Sequence, residues 1–211
     1  MTKNNSPLIQ QKRAEMVSKI LDTARSIMRE DGVAALSMQE LARRINMRAP
    51  SLYNYFSNKM EIYDALFQLG QRMFESQISE YLMEGAWQAQ LSGMMDSYLT
   101  FALQNPELYQ LCFERPVPGF VPSPESLEIS FGILERLYAQ VKNWLPSLNT
   151  PLNERQVGDF LIAFNHGITA LHLANQPDTP VDKSRFASLA PAFLSLLDEA
   201  WSNKLTHKEK P

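Results

Sequence analysis

The sequence predicts an all-α chain, with an N-terminal three-helix helix-turn-helix domain followed by a helical regulatory and dimerisation domain, about nine helices in total. Two observations carry this. Apolar residues recur every three to four positions along most of the chain, with prolines punctuating the periodic stretches, and no segment alternates with period two for long enough to form a sheet.

The first helix carries Ile20, Ala24, Ile27 and Met28 on one face. Ser37 followed three residues later by Glu40 makes a capping box that opens a second helix at Met38, with Leu41, Ala42 and Ile45 as its apolar face. Asn46 tolerates the left-handed backbone that a sharp stop after Ile45 requires. Pro50 falls in the first turn of a third helix, where its missing amide proton costs nothing. Leu52 and Phe56, four apart, turn inward, leaving Ser51, Tyr53, Asn54 and Tyr55 outside.

Further periodic stretches predict helices over residues 58–84, 87–104, 106–113, 126–145, 154–175 and 183–203. Pro116, Pro118, Pro122 and Pro124 predict an ordered non-helical loop after Glu114. Pro191 lies within an apolar run, which predicts a kink near Ala187 or a restart capped by Ser188. The domain boundary is expected at residue 60, with a DNA-binding domain over 1–60 (core 12–58) and a ligand-binding and dimerisation domain over 61–211.

Composition narrows the function. No apolar run reaches the roughly 20 residues of a membrane span, and Met1 to Gln10 is too polar for a secretory signal, so a cytoplasmic protein without a membrane partner is expected. The single cysteine, Cys112, excludes an internal disulfide and is expected to be a buried, inert thiol. No Cys/His spacing matches a structural zinc site. His166 and His172, six apart, point about 120° from each other on a helix, which argues against a shared metal. No cofactor is expected, nor an enzyme, because no nucleophile, base and orienting group lie at a suggestive spacing.

The net charge of −3 conceals an asymmetry: residues 1–60 carry +5 and the remainder −8. Clustered cations beside a groove-reading helix favour a polyanion, and the acidic remainder opposes general nucleic-acid stickiness.

Residues from about Lys12 to Leu69 resemble the DNA-binding domain of the tetracycline-repressor (TetR) family of bacterial transcription regulators. The resemblance rests on Ile20-Leu21-Asp22-Thr23-Ala24, on Gly32, on Ser37 to Ala42, and above all on Pro50-Ser51-Leu52-Tyr53-Asn54-Tyr55-Phe56-Ser57-Asn58-Lys59 followed by Ile62 and Leu66. The turn departs from the family pattern, with Asn46-Met47-Arg48 where Gly and a small hydroxyl residue are usual. Downstream, Phe101-Ala102-Leu103, Asn105-Pro106, Leu108-Tyr109, Arg115 to Phe120 and Pro122 to Glu125 look like the subgroup named for a Trp-His-Gly signature, here Asn165-His166-Gly167. That resemblance implies a dimerising regulatory domain that binds a small molecule.

Chemistry assigns the roles within this frame. Arg48, Ser51 and Tyr53 are the candidates for base or groove contact, with Ala49 and Pro50 able to pack on a thymine methyl. Gln39 and Asn54 lie within the same surface, and Ser37, Tyr55 and Lys59 are the expected phosphate anchors. Packing beneath the first helix is the plain alternative for Tyr53 and Tyr55, but two tyrosines two apart cannot share one helix face. Met73, Met83, Met94, Met95, Tyr98, Phe101, Tyr109 and Phe113 are candidates for an apolar effector pocket. His166 is either a core imidazole bonded to backbone or a polar group in that pocket. Phe160, Phe164, Gly167, Ile168, Leu171, Leu189, Phe193, Leu196 and Leu197 are the candidate dimer contacts, in a four-helix arrangement with Gly167 permitting close approach.

The expected function is a homodimeric regulator, in the sense of a repressor, that binds an inverted-repeat duplex and is released by a small apolar effector. The alternatives are a helix-turn-helix module that binds protein, and a DNA-binding regulator switched by a protein partner.

Overall fold

The computed structural model describes residues 7–79 and 85–202. Met83, one of the pocket candidates, and the predicted helix end at residue 203 lie outside the described residues. Among the described residues the secondary structure is helical, with nine α-helices, short 3-10 turns and a single isolated bridge between Leu148 and Ser202. The helices are α1 (Pro7–Asp31), α2 (Met38–Arg44), α3 (Ala49–Leu52), α4 (Lys59–Ser79), α5 (Trp87–Gln104), α6 (Pro106–Phe113), α7 (Pro124–Trp144), α8 (Glu154–Asn175) and α9 (Ala190–Trp201).

The chain packs as two units. One comprises residues 1–72 with 105–129, and the other residues 73–104 with 130–211. Packing therefore does not divide at residue 60: the first two-thirds of α4, all of α6 and the start of α7 belong with the helix-turn-helix.

In the first unit, Ile20, Ala24, Ile27 and Met28 of α1 are buried with Leu41 and Ala42 of α2, Leu52 of α3 and Ile62 and Leu66 of α4. Each fully buried Leu or Ile contributes about 1.5–3 kcal/mol relative to exposure, which holds the two short helices α2 and α3 that would not persist alone. Tyr63 is fully buried, and its hydroxyl donates to the Val33 carbonyl at 2.7 Å, so a polar atom in this core is satisfied.

The proline-rich segment is non-helical as far as Ser123, but Pro124 is the first residue of α7, not part of the loop. A proline at that position loses no helical hydrogen bond. The loop is anchored by Asp64, whose carboxylate accepts from the Ser123 amide at 2.8 Å and the Ser126 hydroxyl at 2.7 Å.

In the second unit, Trp87, Leu91 and Met95 of α5 pack with Val141 and Trp144 of α7, Val157, Leu161 and Ile168 of α8, and Phe193, Leu197 and Trp201 of α9. The Gln90 carbonyl oxygen, in this core, accepts from Trp144 Nε1 at 2.9 Å and from Gln140 at 2.6 Å. Helix α8 opens with a full capping box, in which Asn153 and Gln156 exchange side-chain-to-backbone bonds. The predicted single helix over 183–203 is instead 3-10 turns at Val181–Lys183 and Ala187–Leu189 followed by α9, with Pro191 in its first turn. Ser188 does not cap it. Ser184 acts upstream, its hydroxyl oxygen accepting from the amides of Phe186 at 3.3 Å and Ala187 at 3.1 Å.

Candidate nucleic-acid interface and effector region

The interface is built from the turn between α2 and α3. Ser37 is the N-cap of α2, its hydroxyl accepting from the Glu40 amide at 3.1 Å. The Glu40 side chain is not bonded back to Ser37 as a reciprocal box would require. Its carboxylate accepts from Arg43 at 2.7 and 2.8 Å and from Arg44 at 2.7 Å, and these guanidinium groups hold it down at about 2. Arg44 also reaches Glu30 at 2.6 Å and Asp31 at 3.3 Å, tying α2 to the end of α1.

Asn46 adopts φ 57°, the left-handed conformation its residue type predicts. The Asn46 amide donates to the Arg43 carbonyl at 3.2 Å and the Met47 amide to the Ala42 carbonyl at 2.8 Å, which is the Schellman arrangement. Asn thus ends this helix in the role that glycine commonly fills. Arg48 becomes the N-cap of α3 without a side-chain cap bond, and Pro50 lies in the first turn. Helix α3 is only four residues long and passes into a turn over Tyr53–Tyr55, closed by Tyr55 and Phe56 amides donating to the Leu52 carbonyl at 2.9 and 3.2 Å.

This geometry leaves Ser37, Gln39, Arg48, Pro50, Tyr53 and Asn54 exposed, with Ala49, Ser51, Tyr55 and Lys59 half-buried. Tyr53 is 52% exposed, whereas Leu52 and Phe56 beside it are buried. The Arg48 carbonyl accepts from the Ser51 amide at 2.8 Å, while its side chain makes no hydrogen bond or ion pair among the described residues and is the cation at the tip of the turn. The two tyrosines lie in the turn beyond α3, where helical spacing does not apply: Tyr55 packs under the Arg13 guanidinium, 5.1 Å from ring to charge, and Arg13 donates to the Asn54 carbonyl at 3.1 Å. Asn58 caps α4, accepting from the Met60 amide at 2.8 Å, and brings Lys59 to the same end of the helix.

The effector candidates fall in different units. Tyr109 and Phe113 belong to the first, where Tyr109 is fully buried and its ring lies 5.6 Å from that of Phe113. Met94, Tyr98, Phe101 and His166 belong to the second. There Phe74 meets both Tyr98 and Phe101, at 5.5 and 5.6 Å between ring centres. His166 is half-buried, and its Nδ1 is 2.9 Å from the Tyr98 hydroxyl. Cys112 is next to Gly70, where a Cβ would come within 2.7 Å of its sulfur, and burial pushes its thiol well above the ordinary range.

Sequence reasoning missed a second set on α8. His172 and Thr169 are fully buried, and with Asn165 they stand at 165, 169 and 172, a spacing that puts all three on one helix face. The signal is present in that spacing, but the sequence reading considers His172 only as half of a metal pair.

Of the dimer candidates, Ile168, Phe193 and Leu197 are buried in the unit's own core, and Phe164 stacks on Phe193 with 3.4 Å between ring centres. Phe160, Leu171, Leu189 and Leu196 are 44%, 45%, 47% and 65% exposed. Nothing within 4 Å would meet a Cβ on Gly167.

A cap-turn-helix head with an open polar and aromatic tip, followed by a larger all-helical unit, defines a helix-turn-helix protein of the TetR-like fold. Residues 20–66 match the family model described as bacterial regulatory proteins, tetR family. Over 91 residues the chain is 29% identical to the uncharacterized HTH-type transcriptional regulator YobS of Bacillus subtilis (strain 168), covering 43% of this chain and 48% of that one. The chain thus spans about half the length of that relative. Among solved structures, a protein with unknown function from Rhodococcus sp. RHA1 aligns with a TM-score of 0.74 at 19% identity, covering 88% of this chain and 95% of that one. The transcriptional regulator FadR from Bacillus subtilis in complex with stearoyl-CoA aligns with a TM-score of 0.66 at 19% identity, covering 85% of this chain and 96% of that one. At these identities the structural likeness speaks for the fold. No described helix is long and apolar enough to cross a membrane.

Proposed function

We propose that the protein is a homodimeric transcription repressor that reads an inverted-repeat duplex with the α2–α3 tip and releases it on binding a small, largely apolar effector. The observation that carries this reading is the exposed tip itself. Arg48 and Tyr53 project from a turn closed by its own backbone hydrogen bonds, and neither side chain is buried in the core. Arg48 forks onto guanine O6 and N7, Tyr53 offers its ring to a thymine methyl, and Ala49, Pro50 and Ser51 form the close surface. Gln39 and Asn54 flank it, while Ser37, Tyr55 and Lys59 hold phosphates and so set register.

Two identical heads on a twofold axis demand inverted half-sites. The exposed residues Phe160 and Leu171 of α8, Leu189, and Leu196 of α9 support pairing through these helices, since large apolar groups left in water on adjacent elements favour burial against a second copy. Phe164, Gly167, Ile168, Phe193 and Leu197 then lie on or directly beneath that face. The second unit is the regulatory part, of the type named for the Trp-His-Gly signature, with Met94, Tyr98, Phe101 and His166 lining the effector region. The FadR complex with stearoyl-CoA supports a small-molecule effector, as an example of this fold holding one.

The test is selection of bound fragments from random duplex DNA, followed by affinity measurements on the recovered repeat across salt concentrations. The expected result is an inverted repeat bound with a steep salt dependence. Arg48→Ala and Tyr53→Ala should each lose sequence preference, at about 1–3 kcal/mol per base contact, while remaining folded and dimeric. A direct repeat, no enrichment, or a flat salt response overturns the reading.

A further inference from the structure

The inner face of α8 changes character along its length. Its N-terminal half buries Val157, Gly158 and Leu161, but its C-terminal half turns Asn165, Thr169 and His172 into the same side of the helix. Three buried polar atoms there have no protein partner: Asn165 Oδ1, Thr169 Oγ1 and His172 Nε2. One orphaned polar atom in a core is uncommon, and each costs free energy unless something satisfies it. Three on successive turns of one helix face are a recognition surface for a polar group.

The chemistry of that group follows from the His172 tautomer. Ser184 Oγ has two lone pairs and accepts from two backbone amides, Phe186 and Ala187. Its own proton is therefore directed to His172 Nδ1, 2.8 Å away. Nδ1 is thus an acceptor, which places a proton on Nε2. The unpartnered Nε2 is accordingly a buried donor with fixed direction, not a metal ligand and not a base.

A donor of this kind seeks an acceptor oxygen. A carboxylate or phosphate in that position would need a countercharge, yet Arg136, Lys142, Arg155, Lys183 and Arg185, the described cations of this unit, are all exposed. Burying an anion without a cation costs more than one neutral hydrogen bond returns. Leu161 and Ile168, beside the polar positions on α8, belong to the apolar core cluster, with Met94 and Phe164 packed against it. We propose that the effector carries a neutral carbonyl, as a ketone, ester or amide, whose oxygen accepts from His172 Nε2 and from the Thr169 hydroxyl. This rests on the regulatory reading of the second unit and adds to it the chemical class of the ligand.

The experiment uses the full chain and shape-matched probes: cyclohexanone, cyclohexane and cyclohexanecarboxylate. With the histidine side chains labelled with 15N, His172 should show the Nε2–H tautomer. Cyclohexanone should shift that resonance and raise the melting temperature, and the other two should not. His172→Phe should weaken cyclohexanone binding by about tenfold, the worth of one hydrogen bond, whereas His172→Gln, which keeps a donor, should stay close to wild type. Thr169→Val, which preserves shape, provides a second reading should the His172 variants fail to fold. Equal response to cyclohexane, a preference for the carboxylate, an Nδ1–H tautomer, no cyclohexanone response, or an internal water alone on Nε2 overturns the proposal. Binding of the selected duplex is measured on the same samples. Its loss in the wild-type protein counts against the repressor reading alone, and cyclohexanone failure with intact duplex binding counts against this inference alone.

Discussion

Glu107 of α6 accepts a hydrogen bond from Arg25 Nε of α1 at 2.8 Å, with the carboxylate side chain only 1% exposed. Its second oxygen accepts from Arg29 at 2.6 Å, and Arg25 also donates to Asn105 at 2.7 Å. This buried junction ties α6 to the first helix of the head, although the two lie some eighty residues apart in the chain. A charge this deeply buried is tolerable only because two guanidinium groups answer it. Glu107→Ala is expected to cost about 3 kcal/mol, because it leaves two arginines facing a void, and Glu107→Gln less, because it retains hydrogen-bonding capacity. Urea denaturation of each variant checks the order.

Glu40 sets an acid limit on α2. Arg43 and then Arg44 hold its carboxyl at about 2, against 4.5 ordinarily. A folded-state value below the unfolded one means that the stabilisation is complete above the ordinary range and disappears as pH falls from 4.5 toward 2. Carboxyl NMR should follow Glu40 to a midpoint near 2, and Arg43→Ala should raise that midpoint more than any other single loss, since Arg43 supplies the largest contribution. A midpoint unchanged by Arg43→Ala contradicts the geometry.

Two glycines of α8 should respond oppositely to alanine. At Gly158 a Cβ would sit 2.7 Å from the Tyr138 ring, which is itself fixed by a 2.6 Å bond from its hydroxyl to Asp159 and by Arg155 above its face. Overpacking there costs about 1–3 kcal/mol and outweighs the helix-propensity gain of about 1 kcal/mol. Gly167 has open space around it, so Gly167→Ala should stabilise the protomer by about 0.5–1 kcal/mol. Thermal or urea unfolding of both variants distinguishes the sites. Sedimentation of Gly167→Ala further tests the proposed dimer, which should loosen if a partner helix approaches closely at that glycine.

The tip was readable residue by residue because its determinants are local. Ser37 caps, Asn46 turns left-handed, Pro50 opens the next helix, and Leu52 and Phe56 go inside, all decided by neighbours within four or five positions. Where local rules competed, the reading slipped. Glu40 had both Ser37 and two arginines in reach, and the charged partners won; Pro124 could end a loop or begin a helix, and began one. Ser188 was a plausible cap, but Ser184 holds the upstream turn because His172, twelve residues away, engages the same hydroxyl.

By itself the sequence determined the helical class, the head's three-helix order and the exposure of Arg48 and Tyr53, because amphipathic period and capping chemistry act over one or two turns. Tertiary structure alone decided that α6 joins the head through Glu107, that Ile168, Phe193 and Leu197 serve the chain's own core, and that His172 Nε2 is buried without a protein partner. Each of these depends on which distant groups meet, and a burial or proton position is set by that meeting, not by the order of residues along one helix.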